Sequence, residues 1–488
     1  MKKINLKLLI YLFLISFICI FICSKNSPIY CFNTWVDENA FMTVSKGWLH
    51  GMIPYKDLFE QKGPFLYFIF LIANIISQKS FIGVFILEVI SMTISLYIMY
   101  KIIKLYLEDK HAYIILPIYS ALFTSSVFFV HGGSAEEFSM PYFLCGLYIL
   151  LKYFKEDKIS SKEMFLSGLC AGLISMIKFN MLGFYIGFCL IIGINFLKQK
   201  RIKELIKKAI FFLIGMSIPI VIFISYLILN HAFSEFVEAY ITYNTGNYTI
   251  EMTFLKRVLL SFKIFIEQLF KDKLIGLLII VGLLYFLFDK EILKSKINKI
   301  LFAILIVLSF IGLFYGGFTY DYYFLIMTPY SIFGLIYAFK KISLNKYKIL
   351  LTFSILVSLI ILPTSSNIEF INFNKKDLVQ YKYAKIINKD KNQKILNYGW
   401  LDGGFYMMSD ILPTARYFER QNGQVLDYEV EIEKQVRKKE FDYIIQTRPV
   451  PEFQTPEYIK ENYNLIREDT QKFEHMNIQY YLWKRKGE

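Results

Sequence analysis

The chain has 488 residues, of which 55% are hydrophobic and only 19% charged, and its mean hydropathy is +0.43. Soluble domains carry about 25% charged residues, so these proportions exclude an ordinary water-soluble protein. The formal net charge of +15 does not argue for a nucleic-acid partner, because the lysines gather in short loops between apolar runs, where cytoplasmic loop charge belongs.

The first apolar run, 6–24, follows the basic start MKKINLK. It is long enough to span a bilayer, lacks a small-x-small cleavage site and is followed by many similar runs. It therefore reads as an uncleaved first helix and not as a signal peptide. A long polar loop, 25–80, comes next. Inside it the run Phe65–Ser77 follows Gly63-Pro64 and is short, as interfacial or re-entrant segments are. A crossing helix needs roughly 20 apolar residues. Runs near that length recur at 82–103, 111–130, 138–154, 163–177, 181–197, 209–230, 273–289, 299–315, 322–340 and 347–363. With 6–24 they make eleven expected transmembrane helices. Five of the six cysteines lie in these runs and only Cys31 in a polar loop, which is neither a disulfide framework nor a metal-ligand spacing.

Loop charge sets the expected topology. With a cytoplasmic N-terminus and 65–77 not crossing, the inside loops carry Lys101, Lys104 and Lys110, then Lys152, Lys155, Lys158 and Lys162, then KQKRIKELIKK, then Lys290, Lys294, Lys296 and Lys299, then Lys340, Lys341, Lys346 and Lys348. The short outside loops HGGSAEE and GGFTYD carry no Lys or Arg. Letting 65–77 cross would reverse this bias, so the rule makes 65–77 an interfacial helix outside the cytoplasm. The loops 25–80 and 231–272 and the tail then share the extracytoplasmic side. Loop 231–272 holds an amphipathic Lys/Arg-bearing stretch, and is expected to be mobile and partly helical. Residues 1–363 form the membrane module. The tail, 364–488, is long enough for one small domain. It alternates strand-like runs (KILNYG, FDYIIQT, IQYYLWKR) with helix-like ones (KKDLVQYKYAKIINKD, VEIEKQVRKKE), an α/β pattern.

The residues able to do chemistry concentrate in the outside loops. Asp37 and Glu38 stand in WVDENAF; Glu136 and Glu137 stand in HGGSAEEF, with His131 close by. Such carboxylates serve as general bases, or as oxygen ligands for a divalent cation such as Mg or Mn. The plainer alternative is that they cap helix N-termini. Lys62 and Lys178 are exceptions to the sparse positive charge outside. A lysine there suits a lipid phosphate, being a compact point charge, or simply snorkels to a headgroup. Asp321, flanked by Tyr320 and Tyr322, is a further outside acid at the start of a run. Glu88 lies inside a run, where carboxylates are rare; pairing with a hydroxyl inside the bundle is its ordinary reading.

The string DENAF…GWLHGMIPYKDLFEQKGPFLY resembles the first external loop of the GT-C glycosyltransferases, in particular bacterial family 39-like enzymes related to protein O-mannosyltransferases and lipid A aminoarabinose transferases. Their pattern of Asp-Glu, Gly-x-x-Pro-Tyr-x-Asp and Lys-Pro-Pro-Leu-x-Tyr matches Asp37-Glu38, Gly51 to Asp57 and Lys62 to Tyr67, with Gly63 in place of the first proline. AEEFSMPYFLCGLYILLKYF resembles the second external loop, GLCAGLISMIKFNMLGF the Gly-rich segment ending in Lys, and YDYYFLIMTPYSIFG a late aromatic motif. In that last motif Asp321 stands where His or Arg is common. NYGWLDGGFYMMSDILPTARYF is similar to the start of the tail domain.

The resemblance implies an α-helical polytopic membrane fold with a small α/β tail. It also implies an inverting transfer of a sugar from a polyprenyl-phosphate donor to an extracytoplasmic acceptor: a protein, a lipid or a cell-envelope glycan. It makes Asp37 the catalytic base. Lys62 and Lys178 become contacts for the donor phosphate, and Glu38, Glu136, Glu137 and His131 candidates for holding acceptor or metal. Tyr55, Asp57, Tyr320, Asp321 and Tyr322 become substrate-loop candidates. The implied partners are the lipid-linked sugar and the bilayer. The competing functions are a lipid-linked sugar flippase or transporter, expected to show related halves and polar residues at mid-membrane, and a polysaccharide polymerase or ligase.

Overall fold

The computed structural model describes residues 5–487 except 290–291, 424, 426, 449–453 and 474–475. In chain order the helices begin with α1 (Leu6–Cys23), α2 (Val36–Leu49), α3 (Pro64–Ile76), α4 (Ile82–Ile103), α5 (Asp109–Ser125), α6 (Ala135–Glu156), α7 (Ser161–Ser175), α8 (Gly183–Lys198) and α9 (Ile202–Leu229). They continue with α10 (Phe233–Phe236), α11 (Phe254–Lys271), α12 (Lys273–Phe288), α13 (Lys296–Phe314), α14 (Ser331–Phe339) and α15 (Tyr347–Ile361). The tail adds α16 (Val379–Ile387), α17 (Phe405–Ser409), α18 (Tyr428–Arg437) and α19 (Glu457–Asn462).

All eleven apolar runs are helical. Among the described residues, seven stretches are long and apolar enough to cross a bilayer on length and composition alone: Leu6–Cys23, Ile82–Ile103, Phe179–Lys198, Ile202–Leu229, Lys296–Phe314, Asp321–Phe339 and Leu344–Thr364. The other four expected spans fall short for two reasons. Helices α5, α7 and α12 have 17, 15 and 16 residues, and α6 has 22 but carries charged residues at both ends. The short run after Gly63 is α3, which begins where Pro64 supplies a pre-set φ and no wasted N–H.

The described chain divides into two compact units. The first comprises Met1–Ser27, Phe85–Phe223 and Ile250–Glu369. Its helices meet through small residues. A Cβ at Gly168 of α7 would lie 1.9 Å from the Phe212 carbonyl oxygen of α9, and one at Gly172 would lie 2.3 Å from that of Met216. Backbones approach this closely only where no side chain intervenes, as helices do in membranes. Local signals set the ends: Ser134 caps α6 by accepting from the Glu137 N–H, and Ser160 with Glu163 forms a capping box at α7.

The second unit gathers Pro28–Val84, Ile224–Thr249 and Phe370–Glu488. It holds α2, α3, a π-helix over Val237–Asn247 and the tail. The tail sheet has four strands, β1 (Ile395–Tyr398), β2 (Tyr443–Arg448), β3 (Tyr463–Phe473) and β4 (Met476–Arg485), in the order β1-β2-β4-β3. Strands β1 and β2 run parallel, with Ile395 opposite Tyr443; the other pairings are antiparallel, with Ile444 opposite Trp483 and Asp469 opposite Tyr480. The Tyr383 hydroxyl of α16 donates to the Tyr480 carbonyl oxygen at 2.8 Å, tying helix to sheet.

Candidate active site

The first loop of the second unit builds a site from the turn before α2 to the start of α3. Asn33 folds back on this turn: its side-chain oxygen accepts from the Trp35 N–H at 3.0 Å and its amide donates to the Glu38 carboxylate. Asn39 ties the same turn down, donating to the carbonyl oxygens of Asn33 (3.0 Å) and Trp35 (2.7 Å). Glu38 is thus held in the wall, whereas Asp37 is 15% exposed and its Oδ2 lies 3.9 Å from the Lys62 Nζ. That ammonium also lies 3.9 Å from Glu60 Oε1 and 5.5 Å from the centre of the Phe41 ring. Both carboxylate distances exceed a direct hydrogen bond, so Lys62 is placed between two anions and clamped by neither of these contacts.

The backbone of Lys62 is fixed from three directions. Its N–H donates to Glu60 Oε2 and to the Tyr67 hydroxyl, each at 2.9 Å, and its carbonyl oxygen accepts from the Tyr55 hydroxyl at 2.8 Å. Tyr67 in turn contacts Glu60. Burial, with the Glu60 charge added, pushes the Tyr67 hydroxyl well above its usual range, so it stays a donor. Tyr55 is fully buried at a left-handed φ of 71°, and Asp57 closes the same turn by accepting from the Ile53 N–H at 2.6 Å.

Two further acids of this unit come from the tail. Glu419 is buried and accepts from the Asp402 N–H at 2.6 Å and the Gln421 amide at 2.5 Å. Burial first, then the charges of Glu60, Asp402 and Asp37, push its carboxyl well above the usual range. Burial also pushes Asp402 up to about 6, against the bonds it accepts from the Thr43 hydroxyl (2.6 Å) and the Gly404 N–H (2.8 Å). The segment carrying Glu419 is stitched to the first loop. The Phe59 N–H donates to the Arg416 carbonyl oxygen at 2.8 Å, and the Arg416 guanidinium reaches the Tyr55 carbonyl oxygen (3.1 Å) and Glu238 of the π-helix (2.7 Å).

The remaining candidates lie in the first unit. Lys178 donates to Glu136 Oε1 at 2.6 Å and sits 3.3 Å from the centre of the Tyr323 ring. Glu136 is fully buried, and its Oε2 has no hydrogen-bond partner among the described residues. Its neighbour Glu137 turns elsewhere: its Oε2 and the Oε1 of Glu88 accept from one N–H, that of Gly133, at 2.9 and 2.8 Å. The Ser24 hydroxyl also meets both Glu88 oxygens at 2.9 Å. This turn needs glycine: Gly132 has φ +89°, and a Cβ there would lie 2.3 Å from Ser24 Oγ. His131 is buried and its carbonyl oxygen accepts from the Lys25 N–H at 2.9 Å. Tyr320 and Tyr322 stack at 5.6 Å, and Asp321 accepts from Lys271 (2.5 Å) and Gln268 (3.3 Å).

Within their units, then, Asp37 is placed with Lys62 and Glu136 with Lys178, while Glu136 and Glu137 face different partners. Sequence reading missed Glu60, Tyr67, Asp402 and Glu419. Glu60 and Tyr67 had a signal, since both flank Lys62 in EQKGPFLY; Glu419 had none, for nothing in ARYFERQ ties it to a loop more than three hundred residues earlier. Among the described residues no group of three His, Cys, Asp or Glu side chains is arranged to hold a metal ion.

These features define a polytopic membrane protein of the GT-C fold. The chain is similar to ArnT from Cupriavidus metallidurans bound to undecaprenyl phosphate, with a TM-score of 0.62 at 10% identity over 98% of this chain and 97% of that one. The apo state of the same protein aligns with a TM-score of 0.59 at 9% identity over the same shares. A mycobacterial arabinofuranosyltransferase, AftD, aligns with a TM-score of 0.50 at 11% identity over 98% of this chain and 42% of its own. No curated protein matches the sequence. Residues 2–343 match the family described as "Putative competence-induced protein Ccs4 N-terminal domain", and the chain belongs to that family.

Proposed function

We propose that this protein is a membrane glycosyltransferase that moves a sugar from a polyprenyl-phosphate donor to an extracytoplasmic hydroxyl acceptor, with inversion. The observation that carries the reading is Asp37, partly exposed in the first turn of α2 and 3.9 Å from the Lys62 ammonium. An acceptor oxygen attacks the anomeric carbon while its proton passes to Asp37. The bond from that carbon to the phosphate oxygen breaks, and the lipid phosphate leaves as an anion that Lys62 stabilises. The fold shared with ArnT in its undecaprenyl-phosphate complex supports a lipid phosphate as leaving group. The lysine distribution among the loops supports an extracytoplasmic first loop and tail.

The test is purified protein with a radiolabelled polyprenyl-phosphate sugar and cell-envelope extract. Transfer releases unlabelled lipid phosphate and labels an acceptor; a flippase releases none. Asp37→Asn is expected to slow transfer by roughly 10²–10⁴-fold, and Lys62→Met to lower kcat more than it raises KM. Full activity in Asp37→Asn would refute the assignment of the base.

A further inference from the structure

At the far ends of α2 and α3 the second unit has an open cavity of about 650 Å³. Lys46, His50, Asn74 and Lys79 line it together with Asp410 of the tail, and Ile75 and Ile76 form its rim. Asp37 and Lys46 lie nine positions apart on α2, roughly 14 Å along its axis, so this cavity is not the reacting centre proposed above.

Three features describe its occupant. The first is charge. Lys46, almost fully buried, and Lys79, exposed, both reach the Asp410 carboxylate, at 2.5 and 3.0 Å. Two ammonium groups on one carboxylate leave a positive balance, and Asp410 already fills the seat of an anion. The second is an unpartnered acceptor. Asn74 is buried, and its amide nitrogen faces the carbonyl oxygens of Met42 (3.2 Å) and Phe70 (3.2 Å) and the Ser45 hydroxyl (2.7 Å). Carbonyl oxygens only accept, so the amide cannot be flipped. Its Oδ1 is left without a hydrogen-bond partner among the described residues and is shielded from solvent, so a ligand hydroxyl bonds it only by displacing the side chains that cover it. The third is the rim: Ile75 and Ile76 are 64% and 45% exposed at the end of an apolar helix, where acyl chains and not water would cover them.

We propose that this cavity binds the headgroup of an anionic, hydroxyl-bearing phospholipid, its phosphate on Lys46 and Lys79 in place of Asp410 and a headgroup hydroxyl on Asn74. Free phosphate and phosphorylated polyols share the polar half of this chemistry but not the acyl chains that the rim calls for.

The full chain in detergent micelles containing phosphatidylglycerol, phosphatidic acid and phosphatidylcholine, followed by native mass spectrometry of the retained lipids, tests this directly and needs no sugar transfer. The result therefore stands or falls apart from the role given to Asp37. Phosphatidylglycerol is expected to be retained over phosphatidylcholine. Asp410→Asn, which removes the internal competitor, should raise that preference about tenfold, and Lys79→Gln should lower it by a similar factor. Asn74→Leu should erase the preference for phosphatidylglycerol over phosphatidic acid. Lys79 is exposed, so its variant folds; circular dichroism checks the others. An Asp410→Asn variant with unchanged or weaker preference would make Asp410 a structural counter-ion and overturn the proposal. So would millimolar glycerol 3-phosphate or inorganic phosphate stripping the lipid, which would assign the seat to a soluble anion.

Discussion

Replacing Lys178 by methionine isolates the buried ion pair of the first unit. The variant leaves Glu136 fully buried, with Oε1 deprived of its 2.6 Å partner and Oε2 already unbonded among the described residues. Breaking a buried pair from one side typically costs about 3–5 kcal/mol. The reverse change, Glu136→Gln, leaves the ammonium on the Tyr323 face, 3.3 Å from the ring centre. Such a contact is worth about 2 kcal/mol when desolvated, so this single change should cost only about 1–2 kcal/mol. The double variant keeps neither charge and should cost less than Lys178→Met alone. The cycle then yields a coupling of about 2–4 kcal/mol. The assay is denaturant titration of the four proteins in mixed micelles. If Lys178→Met and the double variant unfold at the same midpoint, the two side chains are not paired as described and the reasoning fails.

Asp402 makes stability depend on pH. Its carboxyl titrates near 6 when folded, above the ordinary value of 3.8, so the native state holds the proton more tightly than the unfolded chain. Stability is fully present below pH 4 and falls by about 3 kcal/mol as pH rises through 6; Asp402→Asn should flatten that slope in thermal unfolding measured from pH 4 to 8. Gly168→Ala forces a methyl into the Phe212 carbonyl oxygen and should cost about 1–3 kcal/mol. Gly193→Ala meets nothing within 4 Å and should be neutral or stabilising by about 0.5–1 kcal/mol, so the pair separates packing from helix propensity. Arg416→Lys gives up the forked contact to Tyr55 and Glu238. It should hasten limited proteolysis of the 415–423 segment while far-UV circular dichroism stays unchanged.

The helices were legible because each apolar run is long, continuous and bounded by polar loops, and Pro64 and the Ser160/Glu163 capping box mark their own helix starts. Strands β1, β2 and β4 were legible from buried apolar runs. Strand β3 was not: its residues are mostly exposed, even Leu465 and Ile466, and among the described residues it pairs with β4 alone at the sheet edge. At the site, Asp37 and Lys62 stood out because both belong to the long loop 25–80, whose spacing resembles a known motif. Glu419 and Asp402 did not, since burial raises the affinity of both for protons, and at Glu419 the charges of Glu60 and Asp37, remote in sequence, add to it. The cavity at Lys46 had no sequence signal, because a lysine near a helix C-terminus is ordinary and its partner Asp410 comes from the tail.

The second unit is composed of three stretches separated by long intervals of chain. During synthesis the first loop emerges early, but Phe59 finds Arg416, and Thr43 finds Asp402, only after nearly the whole polypeptide has been made. At about 5–20 residues per second, the interval between residues 84 and 370 takes roughly 15–60 s. For that time the loop bearing Asp37 and Lys62 lacks its contacts with Asp402 and Arg416 of the tail. The unit therefore matures last, and a ribosome that stops before the tail leaves the first loop in place without the partners that complete it.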